Sequence, residues 1–113
     1  MEHRASPRKS ISQYVLVYQN NLPVLRGTAR NISQEGLFLE TGPVTFKKNT
    51  LLEIEFQLGT GAMRKHYRVP VLVRRKTKTG LGMVFKDIET EPVRRIQEFL
   101  YRDEQLRSPM MFG

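Results

Sequence analysis

Two small groups of residues in this chain have the types and spacing to hold an anionic ligand. One is Asn31-Ile32-Ser33-Gln34-Glu35-Gly36, an Asn-x-Ser-x-x-Gly box. The other is Arg4 and Arg8, an Arg-x-x-x-Arg pair in a polar segment upstream. A guanidinium forks onto phosphate oxygens or onto the O6/N7 edge of guanine. Asn and Ser offer short polar groups, and a glycine lets backbone and ligand approach closely. Together the two groups suggest a clamp for a guanine-containing, doubly phosphorylated small molecule.

They differ in specificity. Arg-x-x-x-Arg occurs as Arg4/Arg8, Arg26/Arg30 and Arg64/Arg68, and this composition yields roughly one copy by chance. The second and third copies fall in expected strands, where positions i and i+4 share a face, and they read as solvated surface. The Asn-x-Ser-x-x-Gly box is expected roughly 0.02 times by chance. Its bland explanation is a turn in which Asn31 and Ser33 bond nearby backbone and Gly36 supplies a positive φ.

The elements that must position these residues follow from hydrophobic period. Residues 1–12 have none and read as a flexible arm. Tyr14–Tyr18 is a strand by its aromatic and β-branched content, closed by a turn at Gln19-Asn20-Asn21. Val24–Ile32 and Leu37–Glu40 flank the box as the second and third strands. Leu52, Ile54, Phe56 and Leu58 alternate with Glu53, Glu55 and Gln57, a half-buried fourth strand with both glutamates on its solvated face. After Gly59-Thr60-Gly61, the residues Tyr67, Val69, Val71 and Val73 share one face of a fifth strand. Pro70 within it predicts an edge or a bulge. Arg75–Gly80 reads as a basic turn, and Leu81, Met83 and Phe85 as one face of a sixth strand. Val93, Ile96 and Leu100 then take helical spacing, with Pro92 in the first turn, predicting a helix over Glu91–Leu106. The expected fold is mainly β: a six-stranded antiparallel barrel over residues 13–106, its C-terminal α-helix covering an open end or a wall, and a tail at 107–113.

Composition bounds the rest. The chain has 113 residues and a formal net charge of +8, with 19 Lys+Arg against 11 Asp+Glu. A basic surface of this kind calls for an anionic partner or none. There is no cysteine, which excludes a disulfide framework, a thiolate zinc site and a cysteine nucleophile. No window approaches the apolar length of a membrane span, and the first dozen residues lack a signal-peptide core. A cytoplasmic protein is the expectation. The two histidines, His3 and His66, lie far apart in the chain. No catalytic triad, paired-carboxylate box or metal-ligand spacing stands out, so neither an enzyme nor a metal site is expected.

With both boxes in this order, and the strand–helix pattern after them, the chain resembles the PilZ domain family, receptors for cyclic di-GMP. The family's paired signatures, Arg-x-x-x-Arg and Asp/Asn-x-Ser-x-x-Gly, match Arg4/Arg8 and Asn31/Ser33/Gly36. The similarity continues through Leu51–Leu58, Gly80-Leu81-Gly82-Met83-Val84-Phe85 and the terminal helix. The resemblance implies a PilZ-like split barrel, no cofactor, and cyclic di-GMP as ligand of Arg4, Arg8, Asn31, Ser33 and Gly36. His3, Lys9 and Arg30 are possible accessories. It also implies an arm that changes conformation on binding and relays the signal to a partner protein, in a stand-alone domain that is a monomer or weak dimer.

Two alternatives have different signatures. A basic small barrel that binds nucleic acid needs exposed aromatics. The candidates Tyr14, Tyr18 and Tyr67 lie in apolar strands and read as core, so nucleic acid is not the expected partner. A PilZ-type adaptor that binds no nucleotide usually lacks one signature or both. The apolar run Met110-Met111-Phe112 could dock such a partner, but packing on its own barrel or plain disorder is the expected reading.

Overall fold

The computed structural model describes residues 9–59 and 61–106, the last six as backbone only. His3, Arg4, Arg8 and the 107–113 tail lie outside these residues. Six strands and one helix follow in order: β1 (Lys9–Gln19), β2 (Leu22–Ile32), β3 (Gly36–Glu40), β4 (Leu51–Leu58), β5 (Lys65–Lys76), β6 (Gly80–Phe85) and α1 (Glu91–Leu106). All pairings are antiparallel, in the closed order β1-β2-β3-β6-β5-β4. Closure leaves no free edge along the sheet.

The period-two pattern becomes the core. Val15 and Val17 of β1, the four alternating apolar residues of β4, Val69, Val71 and Val73 of β5, and Leu81, Met83 and Phe85 of β6 are all buried. Val93, Ile96 and Leu100 join the same cluster, and α1 packs against β5, β1 and β4. The helix starts where Thr90 O accepts from Arg94 N at 3.1 Å, just after β6 ends. Each large apolar side chain buried this way contributes roughly 1.5–3 kcal/mol relative to exposure.

Several boundaries differ from expectation, each for a local reason. β1 begins at Lys9, so residues 9–12 belong to the barrel and not to the arm. Lys9 and Ser10 pair with Ile32 and Asn31, a ladder that apolar period cannot reveal. The β1–β2 turn is two residues, Asn20 and Asn21, with φ of 54° and 67°. Such left-handed pairs match the twist of a hairpin, and Asn tolerates them. The basic turn expected at Arg75–Gly80 is shorter. Thr77 N donates to Gly80 O at 2.9 Å and its hydroxyl accepts from Gly80 N at 3.1 Å. Arg75 and Lys76 therefore remain in β5, opposite Gly82 and Leu81.

Pro70 does occupy a local edge. Its carbonyl accepts from Lys86 N at 3.0 Å, just past the end of β6. Its nitrogen, on the same side of the strand, therefore faces a place where no ladder bond is required. Tyr14 corrects the core assignment of the tyrosines: it is 45% exposed. Tyr18 and Tyr67 are half-buried, and Tyr67 alone packs against the core.

Candidate functional site

The Asn-x-Ser-x-x-Gly box forms the end of β2, the connecting turn and the start of β3. Ser33 N donates to Gly36 O at 2.8 Å. The Ser33 hydroxyl accepts from Glu35 N at 3.3 Å, and has Glu35 Oε1 at 3.3 Å and Gly36 O at 3.5 Å as acceptors for its own proton. Ser33 thus does form the turn, by the local side-chain bond that serine favours.

Gly36 is present for another reason. It is not among the residues with positive φ. A Cβ there would overlap the Met83 carbonyl oxygen and come within 2.8 Å of Val84 Cα. The turn-conformer explanation fails for Gly36: the side chain is absent so that β3 can close against β6.

The turn is also tied to the helix. Gln97 Nε2 donates to Gln34 O at 2.9 Å and to Ser33 O at 3.3 Å. These carbonyls belong to an otherwise irregular segment, so α1 fixes the height of the box at the barrel rim. Nothing in the sequence marked Gln97, a polar residue on the helix flank.

Outside the barrel, next to the box, lies an open trough of about 220 Å³ lined by Asn31, Ser33, Glu35, Phe38, Arg74, Arg75 and Gly82 among others. Its axis follows one row of cross-strand partners. Asn31 pairs with Phe38, Phe38 with Gly82, and Gly82 with Arg75. Adjacent strands are about 4.8 Å apart, so the row spans roughly 14 Å. It presents an amide, an aromatic ring, a bare backbone and a guanidinium in that order.

Phe38, Arg74 and Arg75 were missed as candidates from the sequence. A signal existed for Phe38: Leu37 and Leu39 are buried, so the period of two points Phe38 outward. The placement of both arginines on the trough had no comparable signal.

Arg30 and Lys9 differ from one another. Arg30 is exposed, with Nε 2.7 Å from Glu40 Oε1 and Nη1 3.2 Å from Ser12 Oγ, and does not line the trough. Lys9 opens β1 beside Ile32. The remaining arginine pairs sit on the surface as expected: Arg26, Arg64 and Arg68 are exposed. Arg64 ends just before β5, and Arg68 stacks 3.8 Å over the Tyr18 ring. Glu53 and Glu55 face outward but are engaged: Glu55 accepts from Tyr18 Oη at 2.9 Å, and Glu53 lies 3.6 Å from Arg68. Among the described residues no group of three His, Cys, Asp or Glu is placed to hold a metal ion. No helix there is long and apolar enough to cross a membrane.

The family model described as "PilZ domain" matches residues 2–102, a span that includes both boxes, the trough and most of the helix. The chain belongs to the PilZ domain family. Among solved structures it is similar to the Bacillus subtilis inhibitor of motility, MotI/DgrA, with a TM-score of 0.71 and 17% sequence identity. The alignment covers 96% of this chain and 53% of that one, so the chain spans about half the length of that protein. At this identity the likeness concerns the fold. A comparison with curated proteins gave no match.

Proposed function

We propose that this PilZ domain is a cyclic di-GMP receptor that takes its ligand between the N-terminal arm and the trough beside Asn31 and Ser33. Binding changes the conformation of the arm and is read by a partner protein.

The observation that carries this reading is the register of β1. Lys9 is opposite Ile32 and Ser10 is opposite Asn31. Opposed residues lie about 4.5–5.5 Å apart, so the chain enters the barrel beside the box. Arg8 precedes that point by one residue. Arg4 precedes Lys9 by five, at most about 18 Å of extended chain. Both guanidinium groups are within reach of a ligand in the trough. Family membership supports the choice of ligand.

Arg4 and Arg8 fork onto phosphate or guanine, and Asn31 and Ser33 supply polar groups at the rim. Gly36 acts by holding β3 against β6, so that the rim keeps its shape. In this reading His3 and Lys9 are accessories. The domain works as a cytoplasmic receptor and not as an enzyme, as a monomer or weak dimer.

Hydrogen exchange tests the switch. Saturating cyclic di-GMP is expected to slow exchange in the peptides that cover residues 1–8. Unchanged exchange there, with ligand bound, would contradict the proposed movement of the arm.

A further inference from the structure

The trough has a second wall that the two signatures do not include. We propose that Arg74, Arg75 and Phe38 form it and hold one guanine base of the ligand. Phe38 stacks on the base, and the arginines fork onto its O6/N7 edge. This inference rests on the cyclic di-GMP reading and adds a base-recognition site to it.

The first support is a bulge in β5. Val73 pairs with Met83 and Arg75 with Gly82, which leaves Arg74 as an extra residue opposite the same partner strand. Consecutive strand residues normally point to opposite faces. The extra residue cancels one alternation. Val73 is buried, and Arg74 and Arg75 are both exposed and both line the trough. A regular strand would have turned one of them away.

The second support is the residue they face. Gly82 has no side chain to obstruct the trough. The position a Cβ would take there lies 3.1 Å from Arg75 Cγ and 3.2 Å from Arg75 Nε. The Arg75 side chain therefore lies flat across β6, directed towards β3. The next residue in that row is Phe38.

The third support is chemical. Phe38 stands outside the barrel, where the core does not need it, and lines the trough beside Asn31. An aromatic face between an amide and a guanidinium is a shelf for a planar base, since every base has a π-face to stack and guanine presents two acceptors to an arginine fork. Arg30 and Arg68 are engaged with Glu40 and Glu53. Among the described residues, the Arg74 and Arg75 side chains make no ion pair or hydrogen bond.

The test is calorimetric titration of cyclic di-GMP into the full chain and its variants, each checked by thermal melting. Phe38→Ala and Arg75→Ala are each expected to weaken binding by roughly 5- to 150-fold. Phe38→Tyr keeps the ring face and stays near wild type. Arg75→Lys keeps the charge without the fork and remains several-fold weaker. Gly82→Ala displaces the flexible Arg75 side chain and also weakens binding, with the melting temperature nearly unchanged. Arg26→Ala, away from the trough, has little effect. If Phe38→Ala and Arg75→Ala bind like wild type while Ser33→Ala does not, the second wall is refuted and the receptor reading stands. Full binding by Arg75→Lys would refute the base-edge contact. If wild type itself does not bind, both readings fall.

Discussion

The Cβ that Gly36 lacks would overlap the carbonyl oxygen of Met83 on the neighbouring strand. The other end of the β3–β6 ladder repeats the arrangement, where a Cβ on Gly80 would overlap the carbonyl oxygen of Leu39. The signature glycine is thus a packing residue of the barrel before it is anything to a ligand. Gly36→Ala should destabilise the fold by at least about 1–3 kcal/mol, since backbone cannot yield as a side chain would. Thermal melting should fall by several degrees. Gly42 makes the comparison: its φ is 84° with open space around it, so alanine there costs only the left-handed penalty of about 1–2 kcal/mol. A Gly36→Ala protein that melts like wild type would contradict the packing role.

Gln97 links the helix to the box through the carbonyls of Ser33 and Gln34. Gln97→Ala should cost about 1–2 kcal/mol for the two bonds. Amide exchange across residues 33–36 should quicken more than in the β4 core. Uniform quickening throughout the barrel would mean that Gln97 supports global stability and not the turn.

Tyr18 gives the barrel an alkaline response. The hydrogen bond to Glu55 lifts its pKa above the usual 10.0, with desolvation adding to the rise and the Arg68 guanidinium over the ring opposing it. A phenol with a raised folded-state pKa binds its proton more tightly in the folded state. Its contribution is fully present below about pH 10 and is lost as pH climbs through the raised value. Denaturant titrations of wild type and Tyr18→Phe from pH 9 to 11.5 should show the steeper loss in wild type. Parallel curves would remove the Glu55 bond from the account.

The arginine pairs should separate by position. Arg8→Ala and Arg4→Ala are each expected to weaken cyclic di-GMP binding by about 5- to 150-fold, the cost of one bidentate guanine contact. Arg64→Ala, on the exposed surface before β5, should change it little. Equal losses in all three would indicate general charge attraction, which a steep salt dependence would also reveal.

Much of the barrel was legible in the sequence because its core obeys the strand period. Leu52, Ile54, Phe56 and Leu58 alternate without a break, and the helix bounds follow from Val93, Ile96 and Leu100. What escaped was set by pairing and not by period. The start of β1 at Lys9 depends on bonds to β2 that polar residues make as well as apolar ones. The reason for Gly36 lies on β6, 47 residues away at Met83. The bulge that turns Arg74 and Arg75 to one face is a register shift, and in sequence Arg75 read as the start of a basic turn. The box itself was visible by its rarity, but its neighbours across the sheet were not.

Titration of the wild-type chain with cyclic di-GMP, with GTP and cyclic di-AMP as controls, tests the central claim most directly. The account predicts saturable binding of cyclic di-GMP at physiological salt and affinities at least tenfold lower for both controls, about 1.4 kcal/mol or more. No saturable binding of cyclic di-GMP, or three similar affinities that fall together with salt, would contradict it.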